Sequence, residues 1–470
     1  MRPRQPTIAI LSPYWAFWED SAPEDDLRAQ RHSVLDQLTA WLSEQGFGIT
    51  IATLLDGPTP SDLARQATGA ADLVMVAVTM AAPPTHTLPL LDATTAPILV
   101  WALSLGSGTQ EGTMASIVQD GATVGTPQLT NVLVRSQRPF SLVSGAFQDP
   151  SARRRCLAAL EAELLVAELP TTTLARIGDP LPGYVSVDID DATLEAALGV
   201  RVRRIPPSDL RAAAMNASRE RWSTQRAAML DEHDIDGELN EAAIEAAARL
   251  TVGLAEVIDA NGIAAGSVNC HVPELRFDPT LGITPCFALG AHTSSGIPWT
   301  CTGDALTSVA MLVGRRLGGA AFYHEIESFD PSKGVAVLAN TGEHDTNWCP
   351  PGQRPKLRPN PWFATDERVG PISWFPLAAG PATLISFTTT TAEPSGVRLI
   401  TAVGEVLPEM VEHSPTVGGA FAFRDPRPRG AWERWVRAGA NHHSACSPGD
   451  LTDAVATVAD RLGIGPIRVC

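Results

Sequence analysis

Short apolar runs alternate with amphipathic stretches through the first third of the chain, and this alternation restricts the fold more than any other feature. Thr7 to Leu11 is an apolar run closed by Ser12-Pro13, the pattern of a buried strand. Asp25 to Gln45 carries Leu27, Val34, Leu35, Leu38, Trp41 and Leu42 at helical spacing, and Gly46 stops it. Gly48 to Leu54, Asp72 to Val78 and Pro97 to Leu103 read as further strands, with a short helix over Ser61 to Ala70. Strands that alternate with helices demand a parallel sheet covered on both faces. Residues 1–170 are therefore expected to form a doubly wound α/β domain.

The alternation restarts after Pro170. Glu238 to Ala260 is a long amphipathic helix, Ile263 to Cys270 is strand-like, and Ile283 to Leu289 reads as a buried helix start. Asp304 to Leu317 is a helix with Leu306, Val309, Ala310, Val313 and Leu317 apolar, and Ala321 to Ser328 and Gly334 to Asn340 read as strands. This predicts a second doubly wound α/β domain over 171–350. The stretch CPPGQRPKLRPNP from Cys349 is too proline-rich for regular structure. Beyond it, Ala382 to Thr391 and Val397 to Val403 are β-branched with no helix between them, an antiparallel signal. Residues 351–470 are expected to be a β-rich, antiparallel barrel-like domain with closing helices at Trp432 to Ala438 and Leu451 to Leu462.

Charge and cysteines narrow the function. The net charge of −17 opposes nucleic-acid binding. No run approaches the roughly 20 apolar residues of a membrane helix, and no signal-peptide core follows the N-terminal arginines. Seven scattered cysteines without a CxxC pair suit a reducing compartment, so a cytoplasmic protein is expected. Nucleotide and hydrolase signatures (GxGxxG, GxxxxGK[ST], HExxH, GxSxG) do not occur. Gly106-Ser107-Gly108, after the fourth strand, reads as a plain turn.

Three polar clusters stand out: His324-Glu325-Ile326-Glu327 at a strand end, Asn340 to Asp345 past the next strand, and His442-His443-Ser444 between two helices. Singly, each reads as a capping or structural group. Together, on three segments, carboxylates and imidazoles at strand ends favour a site that suits a divalent metal with open positions.

These segments resemble the L-fucose isomerase / L-arabinose isomerase family. Arg176-Ile177-Gly178-Asp179, Ile283-Thr284-Pro285-Cys286-Phe287-Ala288-Leu289, Thr302-Gly303-Asp304-Ala305-Leu306 and Gly439-Ala440-Asn441-His442-His443 carry the likeness, over roughly residues 175–450. The resemblance implies aldose–ketose isomerisation of a monosaccharide or sugar-like compound through an enediolate. It implies a divalent metal, usually Mn²⁺, held by carboxylates and histidines, and a homotrimer or homohexamer. The expected metal ligands are Glu325 and His443, with Glu343 or His344 completing the set. Glu325, Asp304 and Thr302 are the expected catalytic positions, and His442, Asn340, His271, Trp15 and Trp18 the expected sugar contacts. Thr302 departs from the family pattern, because a carboxylate stands there in its members. The resemblance thus leaves three outcomes: a completed metal site, a diverged enzyme with weak or absent metal performing another carbonyl-adjacent step (epimerisation, dehydration or C–C cleavage), or a non-catalytic sugar-binding subunit.

Overall fold

The computed structural model describes residues 5–105, 114–408, 416–425, 427 and 430–470. Gly106-Ser107-Gly108 lie outside the described residues. The chain forms two compact units, Met1–Ala167 and Glu168–Cys470. The boundary expected near 350 falls inside the second unit.

The first unit is built on β1 (Thr7–Tyr14), β2 (Gly48–Asp56), β3 (Leu73–Val78), β4 (Ile98–Ala102) and β5 (Ser141–Ser144), in the order β2-β1-β3-β4-β5. Every pairing in this sheet is parallel. Residues alternate along each strand, so the sheet presents two apolar faces. Ile8, Ile10, Leu73, Met75, Leu99 and Trp101 pack on one core with Leu35, Leu38 and Leu42 of the helix Leu27–Glu44. Ala9, Leu11, Val74, Val76, Ile98 and Val100 pack on the other. This is the doubly wound architecture that the strand–helix alternation demands.

The second unit opens with β6 (Thr173–Ile177), β7 (Arg201–Ile205), β8 (Asp234–Ile235), β9 (Ile263–Val268) and β10 (Trp299–Thr300). A four-stranded parallel sheet runs β10-β9-β6-β7. The strands β11 (Phe322–Asp330) and β12 (Val335–Asn340) belong instead to an antiparallel sheet. The short β13 (Lys356–Pro359) and β14 (Pro371–Trp374) pair with each other, and β13 pairs with β8. The proline-rich stretch thus holds a strand after all. Pro355 precedes it and Pro359 ends it, so the missing N–H groups fall at its borders.

Four more strands and a terminal one complete the molecule: β15 (Gly380–Thr389), β16 (Val397–Leu407), β17 (Val417–Phe423), β18 (His443–Pro448) and β19 (Pro466–Arg468). The seven-stranded sheet has the order β15-β18-β11-β12-β17-β16-β19, and β15 also pairs with β16. That pairing closes six antiparallel strands into a barrel, which leaves no open edge among them. Phe322, Leu338, Phe375, Leu384, Ile400 and Phe421 are buried in its core. His443 opens β18 and does not sit in a loop between helices. HSACSP is too short and too small-sided to show a periodicity, and pairing with β11 and β15 makes it a strand. Among the described residues, no helix is long and apolar enough to cross a membrane.

Candidate active site

The register of two strands builds the site. β11 and β18 run antiparallel with Tyr323 opposite Ala445, His324 opposite Ser444 and Glu325 opposite His443. Directly opposed side chains on one sheet face stand about 5 Å apart at Cβ, close enough to interact. The result is a contact of 3.0 Å between His443 Nε2 and Glu325 Oε1 across 118 residues of sequence. Tyr323 lies two residues before Glu325, hence on the same face. Its hydroxyl is 2.7 Å from His443 Nδ1.

A helix terminus supplies the third element. Asp304 is the N-cap of the helix Ala305–Gly318 and accepts from Thr307 N at 2.9 Å and Thr307 Oγ1 at 2.7 Å. Its Oδ2 also reaches His443 Nδ1 at 2.9 Å. Asp304 and His443 are both buried, whereas the Glu325 side chain is 42% exposed. The imidazole therefore lies between an inner, fixed carboxylate and an outer, accessible one.

Electrostatics follow from that placement. Burial pushes His443 down, but hydrogen bonds to Asp304 and Glu325 overcome it and raise the ring to about 9. The His443 hydrogen bond holds Glu325 below the usual carboxylate range. In the charged ring, the Nδ1 hydrogen goes to the Asp304 carboxylate, and a single hydrogen cannot serve Tyr323 as well. Asp304 thereby fixes the tautomer that leaves Nε2 as a lone pair once the ring loses a proton.

His442 adds a second imidazole, with ring centroids 3.9 Å apart from His443. Its Nδ1 is engaged by Asn441 Oδ1 at 2.8 Å and Ser186 Oγ at 3.1 Å, which leaves Nε2 outward. Burial and the neighbouring His443 keep His442 below the ordinary histidine value, so it is neutral and a competent donor. One ligand atom from each of Glu325, His442 and His443 lies within 4.8 Å of the others. Two imidazoles and one carboxylate, with open positions remaining, fit a first-row divalent cation.

The other expected residues are placed differently. Glu343 and His344 are fully buried and stand outside that ligand group. His344 Nε2 donates to the Asn340 carbonyl at 3.1 Å, its ring packs 4.4 Å from Phe322, and burial pushes it down to about 3. Glu343 lies against the Cys286 and Cys301 thiols, and burial raises its carboxyl to about 7. Asn340 turns its side chain onto the backbone of Thr341. Thr302, two residues before Asp304, is buried with φ of 54°, a left-handed conformation costly for a β-branched residue. His271 packs edge-on against Phe363 and contacts Arg276 at 3.1 Å. Trp15 and Trp18 belong to the first unit, where Trp15 stacks on Phe17 and Trp18 Nε1 donates to the Ala81 carbonyl at 2.7 Å. Sequence reasoning missed Tyr323 and Asn441. The period of two from Glu325 was the signal for Tyr323.

The second unit thus joins parallel α/β layers to a closed antiparallel barrel with a carboxylate–imidazole cluster. The chain is similar, at a distant level, to sugar isomerases of the fucose/arabinose isomerase-like kind. Sulfoquinovose isomerases of Priestia aryabhattai and Priestia megaterium are each 23% identical to it over 317 residues. That likeness covers 66% of this chain and 66% of each relative, just under two thirds of their length. The L-arabinose isomerase of Mycolicibacterium smegmatis is 26% identical over 352 residues, 71% of this chain and 67% of the relative. No family model matches the chain.

Proposed function

We propose that the chain is a metal-assisted aldose–ketose isomerase, with Glu325, His443 and His442 as the protein ligands of one divalent cation. The observation that carries this reading is the Asp304–His443–Glu325 line, a carboxylate that aims an imidazole whose far nitrogen meets a second carboxylate. A bound Mn²⁺ or similar ion would polarise the sugar carbonyl and stabilise charge developing on its oxygen. Asp304 keeps His443 in the donor tautomer throughout. Glu325 and His442, both more exposed than His443, would face the side from which a sugar enters. Tyr323 holds its hydroxyl against the same ring and gives the site a phenolic donor close to Thr302. Thr302 and Asp304 line the pocket, and Asn340 and His271 stand as further sugar contacts.

The proposal extends to a cytoplasmic homotrimer or homohexamer. Phe17 is 57% exposed beside Trp15 and Trp18, an apolar cluster that a neighbouring subunit would cover. The names of the relatives supply the first substrates to try. Purified chain with Mn²⁺ is expected to interconvert sulfoquinovose or L-arabinose with the matching ketose, and to exchange the hydrogen at C2 with deuterated solvent. Absence of both conversion and exchange, with one metal bound per chain, would reject isomerisation.

Thr302 favours a second reading. Threonine has no carboxylate to move a proton between C1 and C2, so the His443–Glu325 pair would do that work in a diverged enzyme without metal, giving epimerisation or elimination. Turnover that survives complete chelation would select it.

A further inference from the structure

One segment of the second unit touches both arms of the site. It runs from Gly178 to Asp190, between β6 and the helix Asp191–Leu198. Its start is pinned, because Asn269 Nδ2 donates to the Asp179 carbonyl at 2.9 Å and Arg204 pairs with the Asp179 side chain at 2.6 Å. Leu181 N then donates to the Thr302 carbonyl at 3.0 Å, two residues before Asp304. Gly303 permits that approach, since a Cβ there would stand 2.7 Å from Pro180 Cα. The far end is held by Arg176 Nη1, which donates to the Ile189 carbonyl at 2.9 Å. Between these ties the segment passes His442. The Tyr184 ring centroid lies 5.4 Å from that of His442, and Ser186 reaches both Asn441 and His442.

Asn441 is what the strap grips. It is buried, and its backbone N–H donates to Ser386 Oγ of β15 at 3.1 Å. Both ends of its amide are assigned by partners that can play one part only. The Ser186 carbonyl can only accept, so the group 2.9 Å from it is Nδ2. The His442 backbone N–H can only donate, so the group 2.8 Å from it is Oδ1. The same Oδ1 lies 2.8 Å from His442 Nδ1, and an oxygen without a hydrogen demands one on that nitrogen. Ser186 Oγ, 3.1 Å from Nδ1, can donate or accept and therefore follows Asn441 as a second acceptor. A neutral imidazole carries one ring hydrogen, so the lone pair stays on Nε2.

We propose that Asn441 and Ser186 are positioning residues of the site, a clamp that holds His442 with its hydrogen on Nδ1 and its lone pair on Nε2. A ring as exposed as His442 would otherwise divide between two tautomers and several rotations, and only one of these presents Nε2 beside Glu325 and His443. The strap that delivers Ser186 is also bonded to the Thr302 carbonyl, so one segment sets His442 and the turn before Asp304 relative to each other. The tautomer follows from the hydrogen bonds alone. The use of Nε2 as a ligand of the cation rests on the proposed function.

The test uses the full chain, treated with chelator and labelled with ¹⁵N-histidine, at about pH 8, where a histidine of ordinary or lowered value is neutral. Two-bond ¹H–¹⁵N correlation shows which nitrogen of each ring carries the hydrogen, and His442→Gln identifies the His442 signals. In the parent, Nε2 of His442 is expected as the bare nitrogen. An Nε2–H ring there would overturn the clamp, whatever the variants do. Asn441→Ala should release the ring to a mixture of tautomers and weaken Mn²⁺ binding roughly 10–100-fold in a calorimetric titration. Asn441→Asp keeps an acceptor at Nδ1, so it should keep the parent tautomer and recover most of the affinity. Ser186→Ala should shift the tautomers less than Asn441→Ala does. A tautomer that Asn441→Ala leaves untouched would overturn the proposal as well. A tautomer lost in that variant with Mn²⁺ affinity unchanged would uphold the clamp and remove His442 from the ligand set of the proposed function. Should Asn441→Ala fail to fold, the parent spectrum and Asn441→Asp still decide.

Discussion

Two stretches of this chain carry a glutamate and a histidine past the same barrel, and they meet opposite fates. Glu325 and His443 are opposed across β11 and β18 and share a 3.0 Å hydrogen bond. Glu343 and His344 are neighbours in sequence, yet the carboxylate faces thiols and the imidazole packs on Phe322 and Phe375. The first pair charges itself: the acid falls below its ordinary value and the base rises to about 9. The second pair is neutralised by burial, with the acid up to about 7 and the base down to about 3. Residue type was the same in both places. Register and burial separated an electrostatically prepared site from a packed interior.

The largest effect that would break this contrast lies at Glu325. Glu325→Gln keeps the shape and removes the charge, so turnover of the sugar substrate should fall by orders of magnitude while the melting temperature hardly moves. Equal rates in variant and parent would put the chemistry elsewhere. Asp304→Asn comes next. Asparagine still caps the helix, but it no longer fixes the His443 ring with a charge. Metal affinity should drop roughly 10–100-fold with the fold retained, as read by calorimetric titration with Mn²⁺.

Glu343 sharpens the other side. Its folded-state carboxyl keeps a proton up to about 7, whereas the unfolded chain releases it near 4.5. The folded form therefore binds the extra proton between these values, and stability falls as pH rises through that window. Glu343→Gln should remove this slope, gaining on the order of 3 kcal/mol by the upper end, as urea midpoints from pH 4.5 to 8 would record. A slope that persists in the variant would assign the buried proton to another group. The smallest effect concerns Thr302. Left-handed strain costs about 1–3 kcal/mol, and glycine's extra unfolded entropy takes back roughly 0.5–1 kcal/mol. Thr302→Gly should then stabilise the chain by about 1 kcal/mol, visible as a rise in melting temperature.

What could be read from the sequence was local. The helix over Asp304 to Leu317 showed its apolar stripe, and the structure adds that Asp304 caps it. The β-branched run Ala382 to Thr391 announced an antiparallel strand, and it is β15. The alternation in the first unit gave the doubly wound sheet directly. Long-range register was not legible. Nothing near His443 says that it lies opposite Glu325, because HSACSP is shorter than any useful period. Nor could the run Glu343-His344 show that its side chains turn inward, since that follows from Phe322 and three thiols brought in from distant segments. Tyr323 was hidden for the same reason: a phenol in an apolar strand reads as core until its hydroxyl has a partner.

On this proposal the opposed strands, and not the Glu343-His344 run, hold the metal. Mn²⁺ binding counted by electron paramagnetic resonance in the parent, Glu325→Gln and Glu343→Gln proteins tests it most directly. One tightly bound ion per chain is expected in the parent and in Glu343→Gln, and none in Glu325→Gln at the same free Mn²⁺. An ion lost from Glu343→Gln but kept by Glu325→Gln, or no ion in the parent, would contradict it.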